Sequence, residues 1–229
     1  MNNLATDPTA TQASPAALRA LIESRRAVRR FSAESIPDEV IRDCLEMAVL
    51  APNSCNLQPW SFQVVRDPAL LAKLHPVCMS QNAAKAPLII AVLARPDTWK
   101  QACKNVVTYW PEPEVPGRIR SFYAKTAPFQ YNQGPLGLLG FFKRQLVRVL
   151  ALRKPLMRTP NSKAQMRLWA VKSTALAAEN LMLAFQSHGY ATCPMEGFDE
   201  PRLRKVLDIP RQALPIMLLA VGRQGEKGI

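Results

Sequence analysis

The chain has 229 residues, 48% of them apolar and 21% charged, with a formal net charge of +13. That make-up suits one folded domain with a sizeable core and excludes disordered and collagenous classes. Five scattered cysteines with no CxxC pair argue against a disulfide framework or a zinc site and suit a reducing cytoplasm.

Residues 1–15 carry Thr, Ala, Asn and Pro without an apolar period or a basic start, so they predict a flexible leader and not a signal peptide. The remaining 16–229 are expected to form a single domain. Leu18, Leu21 and Ile22 predict a helix over Ala16 to Arg25, and Ser35-Ile-Pro-Asp-Glu opens a second that runs to about Leu50. Pro52 stops it. Trp60-Ser-Phe-Gln-Val-Val alternates like a half-buried strand, Pro68 to Leu74 reads as a short helix, and the apolar run at Leu88 reads as a central strand. Residues 162–188 predict a long helix, with Met166, Trp169, Ala170, Ser173, Leu176, Ala177, Asn180, Leu181 and Ala184 on one face and Gly189 as its stop. Such a helix can form a dimer core. A short helix from Asp199 and a strand over Leu214 to Val221 complete the list. Helices and strands mix without βαβ alternation, which predicts an α+β fold.

Several chemistries lack their anchors. There is no GxGxxG or GxxxxGK[ST], no GxSxG and no HExxH. His75 and His188 lie far apart and read as ordinary surface or packing residues, not as metal ligands or triad members. No apolar run approaches the roughly 20 residues that span a bilayer.

Three segments carry what remains. Glu23-Ser-Arg-Arg-Ala-Val-Arg-Arg-Phe31 sets four arginines at the end of a helix. Guanidinium forks donate paired, charge-assisted bonds to phosphate, although arginines there also simply complement the helix dipole. Leu50-Ala-Pro-Asn-Ser-Cys-Asn-Leu-Gln-Pro-Trp puts Asn53, Ser54, Asn56 and Gln58 in one loop, suited to a polar heterocycle or polyol chain, or to a plain Asn/Ser turn over a buried Trp60. Thr192-Cys-Pro-Met-Glu-Gly-Phe-Asp199 leads into Leu203, Leu207 and Asp208-Ile-Pro210.

In this order the three segments resemble the recurring motifs of the nitroreductase family of FMN enzymes, over roughly Leu18 to Gly222. The resemblance implies a three-layer sandwich, a mixed and mostly antiparallel sheet flanked by helices, in an intertwined homodimer. It implies that Arg25 and Arg29 hold the FMN phosphate and ribityl region with Arg26 close by, and that Ala27 replaces the family's usual Ser. Pro52, Asn53, Ser54, Asn56 and Gln58 would reach the flavin from the other subunit. Pro194, Met195, Glu196 and Gly197 would lie against the ring system, with a backbone N–H near Glu196 addressing N5. Arg223 matches a basic position near the phosphate, and Asn82 one at the pyrimidine edge. The implied activity is hydride transfer from NAD(P)H to nitroaromatic, quinone or similar acceptors by ping-pong kinetics. The flavin does the electronic work, so no catalytic side chain is singled out. Relatives of the same fold carry out dehalogenation, flavin fragmentation or dehydrogenation, which stand as alternatives.

From Val115 to Ala178 the chain has no acidic residue and twelve lysines and arginines. Within this basic insertion at about 110–160, Leu138, Leu139, Phe142, Leu146 and Val149 share one helical face, with Lys143, Arg144 and Arg148 mostly opposite. The segment reads as a lid, an attractor of anionic substrates, or a peripheral contact at an anionic inner-membrane surface. The plain alternative is a helix packed on the core with a solvated basic face. A non-enzymatic membrane-surface or nucleic-acid binder would rest on this insertion alone, and no nucleic-acid module accompanies it.

Overall fold

The computed structural model describes residues 14–158 and 160–225. Of the expected leader, residues 1–13 lie outside these, and Pro15 already opens the first helix.

The elements follow the order α1 (Pro15–Ser24), α2 (Asp38–Val49), β1 (Trp60–Val65), α3 (Pro68–Leu74), β2 (Leu88–Ala94), α4 (Trp99–Thr108), α5 (Gly117–Ser121), α6 (Ala127–Tyr131), α7 (Leu138–Leu150), α8 (Lys163–Ser187), β3 (Ala191–Met195), α9 (Glu200–Val206) and β4 (Leu214–Gly222). A π turn, Phe122–Thr126, joins α5 to α6. The chain divides into two compact units. One comprises residues up to Ala51, Ser61–Leu93 and Ala175 onward; the other comprises Pro52–Trp60 and Ala94–Thr174.

The first unit is an α+β sandwich around the strand order β1-β2-β4-β3, with β3 antiparallel to β4. Inner strand β2 is buried at every position, as an unbroken apolar run requires. Because side chains alternate along a strand, β2 and β4 feed two separate cores. Leu88, Ile90, Leu219 and Val221 meet Ile41, Cys44 and Ala48 of α2 and Leu181, Met182 and Phe185 of α8. Ile89, Ala91, Leu93, Leu218 and Ala220 meet Leu74 of α3 and Leu203 of α9. Helices α3 and α9 start where their acids can cap them: Asp67 accepts from the Leu70 N–H at 2.8 Å and Asp199 from the Arg202 N–H at 3.2 Å.

In the single chain, Leu176 of α8 is exposed, as are Leu18 and Ile22 of α1. Helix spacing reveals an apolar stripe but not whether this chain or another covers it.

The second unit is helical. Tyr131, fully buried, lies between Trp99 and Trp169, with ring centroids 6.5 and 4.7 Å away. Helix α7 packs here in an unexpected orientation. The reading of a core-packed helix with a solvated basic face fails, because Leu138, Phe142 and Val149 face outward while Lys143 is buried. The Lys143 ammonium donates to the carbonyls of Phe129, Gln130 and Asn132 at 2.8, 3.0 and 2.7 Å, closing the C-terminus of α6. Burial holds its pKa below the usual lysine value. Lys143→Met strips these carbonyls of their donor and should cost about 1–3 kcal/mol in a urea titration; an unchanged midpoint would contradict the capping role.

Candidate functional site

The arginine run does not sit on a helix end as a cluster. Helix α1 stops at Ser24, Arg25 takes an extended conformation, and the chain then runs along edge strand β3. Ala27 bridges Thr192 in parallel, and the Val28 N–H donates to the Thr192 carbonyl at 3.2 Å. Farther on, Phe31 bridges Gln224, and the Ser32 N–H donates to the Arg223 carbonyl at 2.9 Å. This extended path buries Val28 and leaves Arg29 and Arg30 exposed.

The arginines have different duties. Arg26 turns back on α1 and donates to the Glu23 and Arg25 carbonyls at 2.5 and 2.8 Å. Arg223 donates to Glu34 at 3.0 Å and lies 5.0 Å over the Tyr190 ring. Among the described residues, Arg25, Arg29 and Arg30 have no carboxylate partner. Arg29 lies close enough to Cys193 of β3 for its charge to oppose the rise in thiol pKa that burial causes.

Strand β3 carries Pro194 and the buried Met195, then releases Glu196 and Gly197 to solvent. That exit is fixed: the Met79 N–H donates to the Gly197 carbonyl at 2.9 Å, Cys78 bridges Phe198, and the Asp199 N–H donates to the Val77 carbonyl at 2.9 Å. A Cβ on Gly197 would stand 3.2 Å from the Met79 Cβ. Asn82, exposed, follows three residues after Met79. The first unit therefore strings Arg25, Arg29, Pro194–Gly197 and Arg223 along one strand and its exit, with Asn82 just beyond the residues that pin that exit.

The second unit holds Pro52, Asn53, Ser54, Asn56 and Gln58 in a loop with unusual backbone. Cys55, Asn56 and Gln58 have φ of 58°, 46° and 44°, a left-handed region costly for any residue but glycine and tolerated best by Asn. Such a conformation persists where its surroundings hold it. The Asn53 Oδ1 accepts from the Gln58 N–H at 2.8 Å. The Tyr123 hydroxyl donates to the Cys55 carbonyl at 2.9 Å, the Tyr131 hydroxyl lies 3.0 Å from Ser54 Oγ, and the buried Thr174 hydroxyl donates to the Pro59 carbonyl at 3.0 Å. Burial holds the Tyr131 phenol above its ordinary pKa, so it stays protonated.

Tyr123 and Tyr131 are the residues that motif reading missed. They lie in the basic stretch, where aromatic side chains read as core. Tyr131→Phe keeps the ring between its two tryptophans but removes the hydroxyl. The expected loss is about 1 kcal/mol, seen as a fall of roughly 2–4 °C in Tm. No change in Tm would mean that the hydroxyl does not support the loop.

The two histidines have local partners: His188 Nε2 lies 2.7 Å from Asp43 Oδ2, and His75 Nε2 lies 3.0 Å from the Gln81 carbonyl. Among the described residues, no cluster of His, Cys, Asp or Glu could hold a metal ion.

A half-buried Arg25 and an exposed Arg29 beside β3, whose exit is fixed, complete the geometry of the α+β sandwich. The chain belongs to the nitroreductase family, whose model matches residues 22–223. It is 28% identical over 205 residues to an NADH dehydrogenase of Thermus thermophilus, covering 89% of this chain and 85% of that protein. It is 27% identical over 210 residues to a Bacillus subtilis protein assigned as an NAD(P)H nitroreductase, covering 91% and 88%. A nitroreductase-like protein of Exiguobacterium sibiricum, solved in complex with FMN, superposes with a TM-score of 0.62 at 22% identity, covering 90% of this chain and 87% of that one.

Proposed function

We propose that the protein is an FMN-dependent oxidoreductase that takes hydride from NAD(P)H and delivers it to nitroaromatics, quinones or similar electron-poor acceptors. The observation that carries this reading is the pair Arg25 and Arg29, cations that among the described residues have no carboxylate partner, beside strand β3 and its exit at Glu196–Gly197. A phosphate ester completes such a pair, and a flat ring system fits against an exposed backbone turn.

FMN, when bound, supplies the two-electron chemistry. Arg25 and Arg29 grip its phosphate, while Arg223 and Ala27 border that end and Arg26 holds the run in place. Pro194 and the backbone of Met195 would lie against the ring, the peptide N–H at Glu196 or Gly197 would donate to it, and Asn82 would address its pyrimidine side. In a homodimer, Pro52, Asn53, Ser54, Asn56 and Gln58 serve the partner's cofactor. The exposed Leu18, Ile22 and Leu176 supply apolar surface for that assembly. Hydride donor and acceptor would take turns at one site, which would give ping-pong kinetics.

The test is spectroscopic. The purified protein, or the protein mixed with FMN, should show a bound-flavin absorbance band, which NADH or NADPH bleaches under nitrogen and a quinone or nitroaromatic restores. A chain that takes up no FMN, or a bound flavin that neither nicotinamide bleaches, would sink the reading.

A further inference from the structure

Helix α7 supplies none of the residues assigned to the proposed redox site, and its outward apolar face calls for a partner. Gly140, Lys143 and Val147 form its inward side. A Cβ on Gly140 would collide with Gln133 Oε1 and come within 2.8 Å of the Asn161 carbonyl oxygen. Lys143 is only 4% exposed. Opposite them, Leu138, Phe142, Leu146 and Val149 are 57%, 66%, 53% and 65% exposed, and Leu152 just beyond the helix is 85% exposed. A contiguous apolar surface of this kind marks an interaction site.

Charge narrows the choice of partner. Arg148 borders the apolar stripe, exposed Arg153, Lys154 and Arg158 follow it, and no acid occurs from Val115 to Ala178. A second copy laid on this face would set two cationic rims against each other with no carboxylate between them. At 13 residues, α7 is roughly 20 Å long, too short to cross a bilayer. Among the described residues no helix is long and apolar enough to cross one.

We infer that α7 docks this protein in the plane of an anionic lipid bilayer. Leu138, Phe142, Leu146 and Val149 enter the acyl boundary, while Arg148, Arg153 and Lys154 sit at headgroup phosphate depth. The buried Lys143 makes this orientation stable, because rotating α7 to hide its apolar face would pull the ammonium off the end of α6.

The experiment is co-sedimentation of the full chain with vesicles, either phosphatidylcholine alone or phosphatidylcholine mixed with phosphatidylglycerol. Wild type should pellet with the mixed vesicles only, and binding should weaken with added salt. Phe142→Ser with Val149→Ser should weaken binding at least about tenfold. Arg148→Gln with Arg153→Gln should weaken it about 30-fold, from about 1 kcal/mol per charge. These side chains are exposed, so both variants should keep the wild-type melting curve. Recovery of wild type in the supernatant with mixed vesicles overturns the inference, as does undiminished binding by the Ser variant. So does a shift from dimer to monomer in that variant without lipid, which would mean that a second copy covers the face. Flavin content is read separately: a protein that takes up no FMN but binds anionic vesicles supports this inference while the redox reading fails.

Discussion

Replacing Arg25 and Arg29 together by alanine should cost the protein most of its affinity for FMN. Each change removes a charge-assisted contact of about 1.5–3 kcal/mol, so the pair should raise the Kd by roughly 150-fold or more. The control lies one residue away. Arg26 already donates to two carbonyls at the end of α1, so Arg26→Ala should loosen that helix end but leave the Kd within a few-fold of wild type. Fluorescence quenching of FMN reads both values. Equal losses in all three variants would point to general attraction by a basic surface, and an unchanged Kd in the double variant would remove the phosphate assignment. Salt should weaken the wild type more than the double variant, because exposed cations are screened.

The largest effect on stability is expected at Phe185. Its side chain is fully buried on α8, in the core between that helix, α2 and the sheet face of Leu88, Ile90, Leu219 and Val221. Phe185→Ala opens a cavity in a layer that cannot collapse without moving the central strand, at a cost of about 3–5 kcal/mol. A urea titration should show an earlier midpoint with an unchanged slope, since the surface exposed on unfolding hardly changes. A cost below about 1 kcal/mol would mean that α8 is not fixed to the sheet by this side chain.

The inner strand β2 and the long helix α8 were plain in the sequence because one buries every residue and the other sets small and apolar residues at helical spacing, from Met166 through Trp169, Ala170, Ala177 and Leu181. Strand β3 was read only as a motif. Its five residues include Pro194, which weakens any strand pattern, and its place comes from pairing with β4, a contact between distant segments. The arginines and the Asn53–Gln58 loop were legible as groups, but their division of labour was not. That Arg26 caps α1 while Arg29 faces outward depends on an extended path set by Thr192 and Arg223. The left-handed backbone of Cys55 and Gln58 was also hidden, since neither residue signals positive φ. For α7, periodicity located the apolar face and said nothing of the direction in which Lys143 would turn it.

The strained loop leaves a practical opening. All five cysteines are free and lie among the described residues, and Cys44, Cys78, Cys103 and Cys193 are buried. Burial, with Asp43 adding to it at Cys44, pushes the Cys44 thiol up to about 12, and burial first of all pushes Cys78 and Cys103 up to about 11, so these sulfurs are poor nucleophiles near neutral pH. Cys55 is half-exposed in the loop beside Tyr131, and its Sγ lies 3.6 Å from that hydroxyl. A maleimide or other thiol-directed dye added to the native protein would therefore label one position, in the loop that the proposed function assigns to the partner's cofactor. The chain carries its own reporter for occupancy of that loop, with no cysteine to engineer in and none to remove.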